Sequence, residues 1–281
     1  MGKSLLLFLS LLAVAHAGSG QTSTKATPAM DCNSHPYRDS LVAKYLERGA
    51  HRFSYMHPSW ARYCDSLITK CPNIAEAYQQ KAIPLIKGGK YEEAFALEQK
   101  AAALDPPKWL AYVGFLKCIF TKDYDGALAD FQQARRLKPN GREMDHTYPF
   151  FEGLCNLEMG QYKRAEKSFN QDMALQRGAS GTGEIHFNTL FYVGTLYLEM
   201  KKYELATSYL TKCLLAYPQH PDANYYLALT YRAQGNAALT TKHLLAAQRA
   251  LLSGYRLNED NIFYANYPHQ ITEYEVQQAL Q

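Results

Sequence analysis

Beyond its first 17 residues this 281-residue chain has no apolar run long enough to cross a bilayer, and nowhere does it string five or six like charges together. Lys and Arg total 30 against 26 Asp and Glu, a formal charge of +4, or +3 once Lys3 is removed. That near-neutral balance lacks the footprint of a nucleic-acid or anionic-membrane partner. C-x-x-C is absent, so neither a redox motif nor a structural zinc motif is present. Also missing are H-E-x-x-H, G-x-S-x-G, the G-x-x-x-x-G-K-S/T phosphate loop and any G-x-G-x-x-G behind a strand. The nine histidines are scattered, and His35, His51 and His57 read as surface or cap residues rather than ligands. The chain therefore reads as a non-enzyme with no cofactor and no metal.

What is present begins with "MGKSLLLFLSLLAVAHAGSG". Lys3 supplies a positive start, Leu5 to Val14 an apolar stretch of ten residues, and Ala15-His16-Ala17 a small-residue cleavage site. These features predict a signal peptide over 1–17, cleavage before Gly18, and export to a periplasmic or extracellular compartment. Residues 18–30 are polar and aperiodic and read as a disordered leader. Export allows disulfides, and of the six cysteines Cys32, Cys64 and Cys71 cluster near the mature start, where one bridge is expected. Cys118 and Cys155 fall in helical apolar patterns and read as buried thiols.

The main signal is internal repetition. "KYEEA" at 90–94 returns as "DYDGA" at 123–127, "QYKRA" at 161–165 and "KYELA" at 202–206, giving Tyr-x-x-Ala at spacings of 33, 38 and 41 residues. Each unit holds two apolar stretches of helical period, parted by Gly or a charged pair, which is the grammar of a helix pair with a tight turn. In the first clear unit Tyr78, Ala82, Gly89, Tyr91, Ala94, Ala101 and Pro106 fall where the tetratricopeptide repeat family has its aromatic, small, turn and proline positions. Over roughly residues 75–252 the chain resembles that family. The resemblance implies an all-α, right-handed superhelical solenoid of about five antiparallel helix pairs, with 31–74 as an N-terminal cap or degenerate repeat and 253–281 as a closing segment. In that last segment Thr272 and Glu275 stand in capping-box spacing. Three departures stand out. Gly114 is one residue off register from Ala127, which predicts a shifted or bulged helix; Asp172 occupies a small apolar position; and "RGASGTGE" at 177–184 reads as a loop.

In such arrays the first helix of each pair lines a concave face. The family's geometry carries Gln79, Tyr112, Phe150, Phe191 and Tyr225 into it as fifth positions, and Ile83, Leu116, Leu154, Thr195 and Leu229 as ninth positions. Arg232 is the one basic groove residue in the last three units, so the basic set that captures acidic peptide tails in known members is missing. The expectation is a partly exposed, aromatic groove that holds a protein or peptide partner without catalysis. A glycan or other small ligand stacked on the rings is the alternative, and a hydrolase with an unrecognised site the more distant one.

Overall fold

The computed structural model describes residues 31–178, 180–257 and 267–281; the expected signal peptide and leader, 1–30, lie outside the described residues. Over the described residues the chain is helical almost throughout. The N-terminal block comprises α1 (His35–Val42), a π-turn over Ala43–Glu47, and α2 (Pro58–Lys70). Pro58 opens α2, where its missing N–H is no loss, and the His57 imidazole accepts the Ser59 N–H. Leu46, Ala50, Trp60, Cys64 and Leu67 pack into a small core of their own. A disulfide joins Cys32 to Cys71, closing a separation of 39 residues, while Cys64 stays a free buried thiol that burial pushes up to about 12.

Five helix pairs follow: α3 (Ala75–Lys87) with α4 (Tyr91–Leu104), α5 (Pro106–Leu116) with α6 (Tyr124–Leu137), α7 (Tyr148–Glu158) with α8 (Tyr162–Arg177), α9 (Phe187–Glu199) with α10 (Tyr203–Ala216), and α11 (Pro221–Ala233) with α12 (Ala237–Leu252). Each helix packs chiefly on its sequence neighbours, and α13 (Glu273–Leu280) closes the array against α12. The turn inside each pair is set by one left-handed residue at the same place in the unit: Gly89, Lys122, Gly160, Lys201 and Gly235, with φ between 57° and 76°. Where the sequence has a charged pair instead of Gly, the lysine adopts the same conformation against its preference.

The small residues mark the helix crossings. A Cβ added at Gly153 would stand 2.7 Å from the Phe169 ring, and one at Gly194 would stand 2.6 Å from Leu210. Ala94, Ala127, Ala165 and Ala206 are fully buried at the other side of each crossing. The tyrosines of Tyr-x-x-Ala open the second helices and reach out of their own unit. Tyr124 donates to Glu158 at 3.3 Å and Tyr162 to Glu199 at 3.5 Å, both at the end of the next unit's first helix. The motif thus couples a tight crossing within a pair to a bridge between pairs.

The departures have physical explanations. Gly114 still lies at its crossing, against Asp130 and Phe131. The extra residue that follows it is absorbed by a π-turn over Lys117–Thr121. Asp172 is completely buried yet fully engaged, accepting from Thr147 at 2.8 Å, Thr189 at 2.7 Å and Gln176 at 2.8 Å. It ties α7, α8 and α9 together where other units use a small apolar contact. A feature the periodicity did not foretell is a hairpin pairing Arg142 with Thr147 and Glu143 with His146, turned by Met144 and Asp145 at positive φ.

Candidate functional site

The structure divides the expected groove residues. Ile83, Tyr112, Tyr225 and Leu229 are half-buried and Arg232 is exposed. Gln79, Leu116, Phe150, Leu154, Phe191 and Thr195 are buried, the last four completely. The expectation of partial exposure is corrected for these six. Phe150 stacks on His146 with ring centres 3.9 Å apart and meets Tyr192 at 5.6 Å; Phe191 meets His220 at 5.0 Å and Tyr226 at 5.7 Å. These rings fill the space between adjacent first helices, so at Phe150 and Phe191 the expected binding row is core packing. Thr195 commits its hydroxyl to the Phe191 carbonyl at 3.0 Å. The π-turn also shifts the second unit: counted from Gly114, its fifth position is Ala111, and Tyr112 is the sixth.

The sixth positions matter more. From α5, α9 and α11 they present Tyr112, Tyr192 and Tyr226, and the last two are engaged by the chain's own C-terminal segment. Tyr192 donates to the Pro268 carbonyl at 2.9 Å. The His269 imidazole sits 2.9 Å from the Glu158 carboxylate through Nε2 and 3.1 Å from the Tyr226 hydroxyl through Nδ1. The Ile271 N–H donates to Asp222 at 2.6 Å, and Ile271 is buried in a cluster with Ala247, Leu251 and Val276, against which Tyr225 and Tyr226 pack. Arg232 donates to the Ala279 carbonyl, and Thr272 with Glu275 forms the capping box of α13. Residues 268–271 of the chain itself are thus held against α7, α9 and α11 by side-chain and main-chain contacts together.

The electrostatics there are those of a dry site. Burial pushes the Asp222 carboxyl up to about 7 and the His220 imidazole beside it down to about 3, with His186 adding to the latter. His220 is neutral, since its Nδ1 accepts the Ala223 N–H and caps α11. His146 is held neutral in the same way, down to about 3 by burial and then by His186 and Arg142.

At the other end of the face, toward α3 and α4, Ile83 is half-buried against the N-terminal core and Tyr112 against the main core, and beside Tyr112 lies an anomaly. Glu98 is completely buried and neither carboxyl oxygen has a hydrogen-bond partner; burial, then Glu143, pushes it up to about 8. Tyr112 is pushed above the usual phenol range by burial and by these two carboxylates. Among the described residues no group of three or more His, Cys, Asp or Glu stands where it could hold a metal, and no helix is long and apolar enough to cross a membrane. Of the residues that touch the C-terminal segment, Glu158, Tyr192, Asp222 and Tyr226 were outside the predicted set. For Tyr192 and Tyr226 the trace in the sequence is the recurrence of an aromatic one place after the fifth position; Glu158 and Asp222 follow no recurrence of that kind.

Helix pairs with a left-handed turn at a constant place, small residues at each crossing and a capped C-terminal end give the chain the fold of the tetratricopeptide-repeat proteins, an all-α right-handed superhelical solenoid. Residues 190–220, from α9 to the start of α11, match the tetratricopeptide repeat family model. Among curated proteins the chain is similar to the "Protein CTR9 homolog" of Arabidopsis thaliana, 27% identical over 186 residues, which is 54% of this chain and 17% of that protein's length. Among solved structures it resembles PilW, a widely conserved type IV pilus biogenesis factor, with a TM-score of 0.60 at 14% identity over 81% of this chain and 97% of that one. It also resembles the APC/C hetero-tetramer Cut9-Hcn1, with a TM-score of 0.59 at 16% identity, covering 89% of this chain and 44% of that one. A third neighbour is YrrB, a TPR protein with an unusual peptide-binding site, with a TM-score of 0.50 at 20% identity over 69% and 95% of the two chains. Identities this low establish the shared fold and nothing finer.

Proposed function

We propose that this protein is an exported scaffold that holds a protein or peptide segment on the inner face of its first helices, without chemistry of its own. One observation carries the reading: that face already accommodates polypeptide, since residues 267–271 lie across α7, α9 and α11 with carbonyl, amide and side-chain groups all engaged. Half-buried Ile83 and Tyr112 extend the same face toward the N-terminal end, where aromatic area remains to be covered. YrrB has a peptide-binding site on the same fold, which supports the reading by analogy. The Cys32–Cys71 disulfide suits an oxidising compartment and so supports export.

Photo-crosslinking tests this. A photoreactive residue is placed at Tyr112 or Leu229 on the inner face, or at Lys167, exposed on the outer helix α8. A discrete polypeptide adduct from the inner positions and none from Lys167 supports the scaffold. No inner adduct, or the same adducts from all three, overturns it. A saturable glycan-array signal that Tyr112→Ala abolishes, with no polypeptide adduct, would install the glycan alternative. For export, the mature protein recovered outside the cytoplasm is expected to begin at Gly18, and a chain that still begins at Met1 refutes it.

A further inference from the structure

The C-terminal segment is built less like a cap than like a ligand. Tyr267 to Gln270 forms a tight turn, closed by the Gln270 N–H on the Tyr267 carbonyl at 3.2 Å, with Pro268 second and His269 third. His269 has φ of 57°. A turn with Pro second and a left-handed residue third takes Gly or Asn at that third place, and a histidine there is strained. Glycine would serve the turn better, so the histidine is explained by what its side chain reaches. The imidazole is clamped between Glu158 of α7 and Tyr226 of α11, two helices from units that are not sequence neighbours. Two residues on, Ile271 enters an apolar pocket with Ala247 and Leu251.

We propose that the inner face of α7, α9 and α11 is a recognition site for a proline–histidine turn followed by an aliphatic residue, and that residues 267–271 are the copy of that ligand which the chain carries in cis. The occupant for which the site is held is a partner protein presenting the same turn. The groups are matched to it one by one: a hydroxyl at Tyr192 for the prolyl carbonyl, a carboxylate and a phenol for the two imidazole nitrogens, a buried carboxylate at Asp222 for the amide of the aliphatic residue. Binding in trans requires the cis turn to leave, so the segment sets a threshold on capture. A ligand on the same chain as its site competes intramolecularly, and only a partner that is tight or abundant displaces it. This rests on the reading that the inner face binds polypeptide.

The test uses the full chain and a fluorescent peptide copying residues 267–281. The variant His269→Gly with Ile271→Ala relieves the strained turn while removing both anchors. It is expected to retain its far-ultraviolet circular dichroism and to bind the peptide at least tenfold more tightly than the parent chain, whose own turn blocks the site. A peptide carrying the same two replacements is expected to bind the variant at least tenfold more weakly. Equal binding by parent and variant, or no binding by a folded variant, overturns the proposal. Should the variant fail to fold, hydrogen exchange on the parent decides: the Ile271 amide is expected to exchange at least tenfold faster than the α9 core amides, through opening of the segment alone. Exchange of Ile271 only together with the core would make the segment a permanent cap and overturn the proposal, as would a dimer in light scattering that His269→Gly with Ile271→Ala abolishes. If the peptide fails while Tyr112 still crosslinks to a partner, the scaffold reading stands and only the cis-ligand idea falls.

Discussion

Replacing Glu98 by Leu is expected to stabilise the protein, and more so as pH rises. Counted from Ala94, Glu98 occupies the place held in the later units by Phe131, Phe169, Leu210 and Leu244, all buried and apolar. A carboxyl there has no partner for either oxygen. Even protonated, an orphaned buried polar group costs about 1–3 kcal/mol. Ionisation adds to this. With its carboxyl pushed from the ordinary 4.5 up to about 8 by burial and then by Glu143, the folded chain keeps a proton between those pH values that the unfolded chain has released. The stability that this retained proton gives the folded chain is fully present below about pH 4.5 and is lost as pH rises through 8, at about 1.4 kcal/mol per pH unit and up to about 5 kcal/mol in all. Other groups titrate as well. Glu143 and Asp222, both raised to about 7 by burial, slope the same way, whereas His146 and His220, lowered to about 3, slope oppositely from pH 3 to 6.5. The decisive quantity is thus the difference between variant and parent at each pH. Urea unfolding followed by circular dichroism is expected to show Glu98→Leu gaining about 1–3 kcal/mol near pH 5 and several kcal/mol near pH 8. Glu98→Gln is expected to remove the share of the pH dependence that Glu98 supplies while leaving a buried polar group without a partner. A gain that does not grow with pH, or a variant less stable than its parent near pH 8, refutes the argument.

Lys201, held left-handed at a turn where other units use Gly, is expected to give up about 1 kcal/mol of strain in Lys201→Gly, read as a higher melting temperature. Phe150→Ala and Phe191→Ala are expected to destabilise by about 3–5 kcal/mol each in denaturant titrations, as core rings do; a loss below about 1 kcal/mol would return them to the groove. Ala165→Leu overpacks the third crossing and is expected to cost about 1–3 kcal/mol by the same measurement. Reducing the Cys32–Cys71 bridge reopens a separation of 39 residues and is expected to cost about 3–4 kcal/mol, seen as an earlier melting of the N-terminal block in dithiothreitol.

The solenoid was legible in the sequence because its causes are local and repeat. A small residue at a helix crossing, a turn residue seven places later and an aromatic two places after that are constraints within one helix pair, so each unit writes them out again. Even the irregularity at Gly114 could be read, since one residue too many in an otherwise constant spacing requires a bulge, and the π-turn over Lys117–Thr121 is that bulge. The capping box of Thr272 and Glu275 was readable for the same reason. The face of the solenoid was not. Whether Phe150 and Phe191 point into a groove or into core depends on how closely one pair stacks on the next, and the same residue types serve either end because an aromatic ring is favoured wherever apolar area is covered. The seat of the C-terminal turn is less local still: Glu158, Tyr192, Asp222 and Tyr226 meet His269 and its neighbours across separations of 43 to 111 residues, and no periodicity records a contact that occurs once. Repetition let the sequence determine the architecture. The single, long-range encounter that occupies the inner face was decided only when the chain closed on itself.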